Sequence, residues 1–443
     1  MRPYKVLLFI AGLLVSLAAL CVVLPGRVSI AGMEVRWPTL SEVMGKPSEV
    51  SIQDSDSTEY RNTVIPEYRD TVVIPDTVVI PDTAIQETPK PVLPPKIEVD
   101  STTDSRIFLS RFYASLTEAG TRVVRVLHYG DSQIEEDRIT LQIREGLQAR
   151  FGGRGVGLMP LAQTIPTNTV RQEIRMNGKV ITPQQGPKRY LVYGPKKTQR
   201  KDGLYGVMGQ VAVMADSLVS GSEDVIAMCK PQVPSAHYDR WRVFADSTIE
   251  WTTNGDTVHL TGRGFVYAIS QETDTGVIVD NIPMRGCLGT VFTKMDSALI
   301  ASFYQQENVQ LIIMQFGGNA IPFNEKPETI RGFIKGYREQ IRYLRQCAPQ
   351  ADILFIGPSD MMRMKDGVWQ SYPMVAYMDK LLRKMCLEEN IAYFSLNNWM
   401  GGAGSMLRWK ENGLAGNDGI HFTRKGAKKA GQAISDWILN GLD

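Results

Sequence analysis

The chain has 443 residues, room for two or three domains of ordinary size. Hydrophobic residues make up 43% and charged residues 22%, the balance of a globular protein. A net charge of +2 gives no electrostatic basis for nucleic-acid binding, and that class is set aside.

Arg2 and Lys5 precede an almost uninterrupted apolar run from Val6 to Leu24, long enough to cross a bilayer. The positive flank puts the N-terminus in the cytoplasm and the remaining chain outside it. Residues 1–30 are therefore expected to be an uncleaved signal anchor, holding the protein to a membrane with its folded part in the periplasm or at the cell surface. Secretion after cleavage is the alternative. Lipidation at Cys21 fails because Leu20 stands where a small residue is required.

Residues 31–100 carry a repeat, Asp70-Thr-Val-Val-Ile-Pro75 followed at once by Asp76-Thr-Val-Val-Ile-Pro81. A proline every sixth residue forbids a helix and spoils a central strand, so an extended spacer is expected. A helix follows at 105–118, then a buried strand at 123–128, the turn Gly130-Asp131-Ser132 and a helix at 134–151 stopped by Gly152-Gly153. Residues 101–163 thus open an α/β domain.

From 164 to 271 the pattern changes to short β-rich runs without a long amphipathic helix. Asn254-Gly255-Asp256 is a hairpin signal between two of them. An inserted β-sandwich is expected. Alternation then resumes in 272–443: strands at 276–279, 309–314, 353–356 and 391–396, helices at 327–347 and 375–389, and a last helix capped by Thr423. Such alternation implies a parallel sheet covered on both faces.

Three clusters carry chemistry. Ser132, between a buried strand and a helix, sits where open α/β sheets bind ligands, beside backbone N–H donors. Asp418-Gly-Ile-His421 can set a carboxylate against one imidazole nitrogen and leave the other free for a hydroxyl. Gly317-Gly318-Asn319, at another strand end, offers an amide to a developing oxyanion. Other candidates have structural readings. His128 reads as a core histidine, Asp137 as part of a solvated face, and His237 and His259 fall in the insert. Tyr129 and Arg285 flank the proposed pocket. The five cysteines show no CxxC or metal-ligand spacing and read as buried small residues.

Taken together these blocks resemble the SGNH (GDSL-type) serine esterase and acyltransferase family. Its nucleophile block is Gly130-Asp131-Ser132, with Gln133 where the name-giving Leu stands. Its third block matches Gly317-Gly318-Asn319, with Ala320 in place of the usual Asp, and its last block is Asp418 to His421. The second block, which supplies a glycine N–H, is matched by Gly286 in Asn281-Ile-Pro-Met-Arg-Gly286, though Gly153, Gly155 and Gly157 form a competing cluster. The layout is similar to peptidoglycan O-acetylesterases, whose insert is a carbohydrate-binding-like β-sandwich.

The resemblance implies a flavodoxin-like three-layer α/β/α domain. It implies a catalytic triad of Ser132, His421 and Asp418, and an oxyanion hole from Ser132, Gly286 and Asn319. No cofactor and no metal are called for. The expected substrate is an O-acetylated cell-envelope or dietary polysaccharide. Transfer of the acyl group to a sugar uses the same residues, and a non-catalytic glycan-binding protein is the remaining alternative.

Overall fold

The computed structural model describes residues 27–30, 33–36, 103–161, 165–176, 179–181, 189–190, 212–214, 225–245, 248–262, 265–295, 297–322 and 324–442. The expected anchor, Cys21 and the Asp-Thr-Val-Val-Ile-Pro repeats lie outside them. A short antiparallel pair, Arg27–Ile30 with Met33–Arg36, straddles the expected change from anchor to spacer. Among the described residues no helix is long and apolar enough to cross a membrane.

Five parallel strands form the central sheet: β1 (Val123–Gly130), β2 (Gly276–Pro283), β3 (Val309–Gln315), β4 (Asp352–Ile356) and β5 (Ala392–Phe394). Their spatial order is β2-β1-β3-β4-β5, the flavodoxin-like order, and its switch point lies between β1 and β3. Successive residues feed opposite faces. Leu127, Tyr129, Ile312, Met314, Ile353 and Phe355 enter one core. Val124, Val126, Leu311, Ile313, Leu354 and Ile356 enter the other. Helices α1 (Thr140–Phe151), α2 (Ser297–Gln306), α3 (Pro327–Cys347), α4 (Met374–Glu388) and α5 (Arg424–Leu439) complete three layers. The first core takes Ile330, Tyr337, Ile341 and Leu344 of α3 with Val375, Met378 and Leu382 of α4. The second takes Ile143 and Leu147 of α1 with Ala427, Ala430, Ile434 and Ile438 of α5.

Several elements differ from expectation. The helix at 105–118 is three short helical pieces, Ser105–Leu109, Ser110–Ser115 and Leu116–Glu118. The helix expected at 134–151 is broken, because Glu136 and Asp137 both take a left-handed φ of 61° and regular winding starts only at Thr140. The cause is local pairing: Asp137 is buried against Arg144 at 2.5 Å rather than solvated. The last strand stops at Phe394, since the Ser395 hydroxyl accepts the Asn398 N–H and caps a new helix, Leu396–Met400. A hairpin, Met362–Lys365 with Val368–Ser371, was not expected. Its signal, Asp366-Gly367 with both φ positive, stands in the sequence.

Among the described residues the β-rich stretch forms two five-stranded antiparallel sheets. One orders Ile249–Asn254, Thr257–Gly262, Val225–Pro231, Val170–Met176 and Lys179–Ile181. The other is built on Phe265–Glu272, which pairs with Arg240–Ala245, Ala212–Met214 and also Gly157–Met159. The β-rich region therefore begins near 157, before the expected boundary at 164. Glu272 also enters a buried ion cluster: the Arg125 guanidinium on β1 reaches Glu272 at 2.5 Å, Asp280 at 3.0 Å and Glu307 at 3.4 Å. Cys229, Cys287, Cys347 and Cys386 are buried and form no disulfide among the described residues.

Candidate active site

Strand β1 delivers Gly130 to the carboxyl edge of the sheet, where the Asp131 side chain accepts the Gln133 N–H at 2.9 Å and starts a short helical turn. Ser132 is the first residue of that turn. Its Oγ lies 2.8 Å from His421 Nε2, and His421 Nδ1 lies 2.7 Å from Asp418 Oδ2. The other Asp418 oxygen accepts the N–H of Ile420 at 2.9 Å and of His421 at 3.0 Å. Burial alone would raise the Asp418 carboxyl. The bonds from the His421 ring and the two backbone N–H groups overcome it and hold the carboxyl at about 2. An ionised Asp418 assigns the imidazole proton to Nδ1, which leaves Nε2 to accept from the serine hydroxyl.

Two side chains missed in the sequence fasten the serine turn to the histidine turn. Arg138 donates to the Ser132 carbonyl at 2.8 Å, the Gln133 carbonyl at 3.2 Å and the Phe422 carbonyl at 3.1 Å. The Gln133 amide donates to the Ile420 carbonyl at 2.7 Å. No sequence spacing announces the two bonds that join the turns, since the Ile420 and Phe422 carbonyls stand some 280 residues further on. The unexpected hairpin supports the same turn: the Met362 N–H donates to the Gly419 carbonyl at 2.8 Å. Gly419 has a φ of +69°, and a Cβ there would sit 2.9 Å from the Trp369 ring, so only glycine fits.

The ends of β2 and β3 close the site. Met284 N–H donates to the Gly130 carbonyl at 2.7 Å, and Arg285 pairs with Glu135 at 2.8 and 2.5 Å. Between them and Cys287, Gly286 has a φ of 72° and open space around its Cα. The Asn319 amide donates to the Cys287 carbonyl at 3.1 Å and to Asp131 at 3.3 Å. Asn319 thus joins all three loops. The N–H groups of Ser132 and Gly286 donate to no group among the described residues. Burial raises the Asp131 carboxyl to about 6, against the lowering pull of the Gln133 N–H and His421.

The remaining candidates have other duties. The Gly153, Gly155 and Gly157 cluster allows close packing: a Cβ would fall 2.6 Å from Val277 backbone, 2.2 Å from the Gln271 carbonyl and 2.0 Å from Asp280 respectively. His128 is fully buried between Gln315 and Thr140 at 3.1 and 2.9 Å, and burial drives its pKa down to about 3. Tyr129 is buried against Tyr304 rather than lining a pocket. His237 and His259 belong to the β-rich region. Among the described residues no three His, Cys, Asp or Glu side chains are grouped to hold a metal.

Residues 246–429 match the GDSL-like lipase/acylhydrolase family. That match includes Asn319, Asp418 and His421 but begins after Ser132, which the β-rich region separates from the rest. A solved structure of a peptidoglycan O-acetylesterase is similar to 77% of this chain and 97% of its own, at 20% identity and a TM-score of 0.57. A carbohydrate acetylesterase of Sinorhizobium meliloti, Est24, is similar over 37% of this chain and 79% of its own, at 15% identity and a TM-score of 0.28. No curated protein sequence matches the chain.

Proposed function

We propose that the chain is a carboxylic-ester hydrolase of the GDSL-like lipase/acylhydrolase family, whose model matches residues 246–429, and that it removes O-acetyl or other short acyl groups from a polysaccharide through Ser132, His421 and Asp418. The single observation that carries this reading is the unbroken hydrogen-bond chain from Ser132 Oγ through His421 to Asp418.

In the proposed reaction Ser132 Oγ attacks the ester carbonyl while Nε2 of His421 takes its proton. The imidazolium, held by Asp418, returns that proton to the sugar oxygen as its bond to the acyl carbon breaks, and the sugar leaves as an alcohol. Water then adds to the acyl-serine with His421 again accepting a proton, and collapse restores the serine and releases the carboxylic acid. The free N–H groups of Ser132 and Gly286 are the donors for the oxyanion. Asn319 joins them when one amide hydrogen turns from the Cys287 carbonyl toward substrate. Each such donor contributes about 2.7–4 kcal/mol to the transition state.

The polysaccharide substrate is supported by the fold shared with an enzyme described as a peptidoglycan O-acetylesterase. The two β-sheets between Ser132 and the later loops have a place for recognising the polymer, and the Val6–Leu24 run for holding the enzyme at a membrane outside the cytoplasm. Acetate release from a panel of O-acetylated glycans, with and without acceptor sugars, tests the reading. Release that needs Ser132 supports hydrolysis, and acyl appearing on the acceptor instead assigns transfer. No acyl chemistry on any member would overturn it.

A further inference from the structure

Helix α5 begins directly after the histidine turn, and its first six residues include Arg424, Lys425, Lys428 and Lys429 with no acid in the first turn. This is the wrong charge for a helix start. The N-terminal end of a helix carries a partial positive charge, and basic residues there are repelled by it. Arg424 lies 3.6 Å from Glu136. Lys425, Lys428 and Lys429 pair with no carboxylate among the described residues, and all three are exposed. Spaced at i, i+3 and i+4, they form one stripe on the helix.

That stripe walls a shallow groove of about 520 Å³ whose other side is Trp399, with Gln432 and Asp436 further along the helix. Trp399 is 36% exposed, unusual for so large an apolar ring. It is not loose: its ring sits edge-on to Trp409 at 5.5 Å, and Trp409 sits 5.0 Å from Phe422, the residue after His421. Lys429 covers the Trp409 ring at 5.7 Å. A rigid aromatic face, ammonium groups with no carboxylate partner among the described residues and a short line of rings to the active-site turn occur together.

We propose that this groove is a subsite for a carboxylate-bearing polysaccharide, holding a stretch of the strand whose acyl group is at Ser132. The apolar face of a sugar ring lies on Trp399, and its carboxylates meet Lys425 and Lys428. This rests on the ester-hydrolase reading for the identity of the polymer, but not for the binding itself. Charge complementarity selects the occupant. The protein is close to neutral overall, so the positive charge here is local and faces one groove. The exposed Trp399 ring beside the lysine stripe suits stacking under a sugar ring.

The test uses full-length Ser132→Ala protein, which cannot consume the ligand, titrated with O-acetylated polygalacturonate and with the same polymer after carboxyl reduction. Reduction should weaken binding about tenfold, and rising salt should erase the difference. Lys425→Gln with Lys428→Gln should lose the same preference, while on the Ser132 background its aryl-acetate turnover stays unchanged. Trp399→Ala should weaken both polymers. Its packing on Trp409 makes the exposed lysine pair the decisive variant. Equal binding of the charged and reduced polymers overturns the proposal, as does binding indifferent to the lysines. It also falls if the lysine substitutions weaken only attachment to phosphatidylglycerol vesicles. Loss of all acyl chemistry with this binding intact would instead sink the ester-hydrolase reading.

Discussion

At the scale of single residues, Ser132 and His421 are the groups through which the proposed chemistry runs. Ser132→Ala should abolish turnover of an aryl acetate, and His421→Ala should lower kcat at least about 100-fold, both with circular dichroism unchanged. A His421→Ala enzyme keeping more than about a tenth of kcat would point to another base. Arg138 is assigned as a positioning residue, because it is buried and holds the carbonyls of Ser132 and Phe422. Arg138→Met should cost kcat by about 10–100-fold with little change in KM for the small ester. A change in KM alone would contradict that assignment. Asp131 and Asp418 give opposite pH effects. Asp418, lowered to about 2 from 3.8, contributes stability above 3.8 that is lost as pH falls toward 2. Asp131 is raised from 3.8 to about 6, so the folded chain holds a proton there that the unfolded chain releases. Stability should therefore fall as pH rises from about 4 to about 6, by roughly 3 kcal/mol in full. Asp131→Asn should flatten that limb in urea unfolding measured across pH; an unaltered slope would exclude Asp131 as its source.

Among the elements, the Met362–Ser371 hairpin matters most because it carries no proposed catalytic group yet fixes one that does. Its Met362 N–H and Trp369 ring meet Gly419, two residues before His421. Gly419→Ala combines a left-handed backbone with a Cβ 2.9 Å from the Trp369 ring. It should cost about 1–3 kcal/mol and displace His421, lowering kcat as well as Tm. Full activity in a stably folded Gly419→Ala protein would show that the hairpin does not govern the histidine. The kinked turn at Glu135–Asp137 works similarly on the serine side, since ending the helix there lets Arg138 fold back onto the Ser132 carbonyl.

In the whole molecule, the buried ion cluster ties the β-rich region to the central sheet. Arg125 is fully buried on β1, and one of its three acids, Glu272, comes from the edge of the β-rich region. Desolvation would raise Glu272, but Arg125 and Arg242 hold it at about 2. Removing one partner of such a cluster leaves an uncompensated charge, so Glu272→Gln should destabilise by about 3–5 kcal/mol. Calorimetry should show one unfolding transition lowered as a whole. A second, independently melting transition would mean the two regions fold apart. Excising 164–271 removes Arg242 and the strand leading to Glu272, so such a deletion tests folding before it tests polymer binding.

Much of this was legible in the chain. Strand and helix periodicities, each set by which side chains must meet a core, identified the five strands of the central sheet and the helices α3, α4 and α5. Ser132, Asn319, Asp418 and His421 stood out because each lies at a strand or helix end, where a short motif records backbone geometry as well as chemistry. The sequence also carried the Asp366-Gly367 hairpin signal, which is a local property and could have been read. What only the tertiary structure decided were relations between distant segments. The break after Ser132 is held in part by Arg138 finding the Phe422 carbonyl of another loop. The packing role of Gly153, Gly155 and Gly157 follows from backbone and side-chain atoms of residues 271–280 lying against them. The buried Arg125 cluster joins residues 125, 242, 272, 280 and 307. A chain displays its periodicities and turns one segment at a time, whereas a hydrogen bond or ion pair across 150–290 residues exists only once folding has brought both ends to one place.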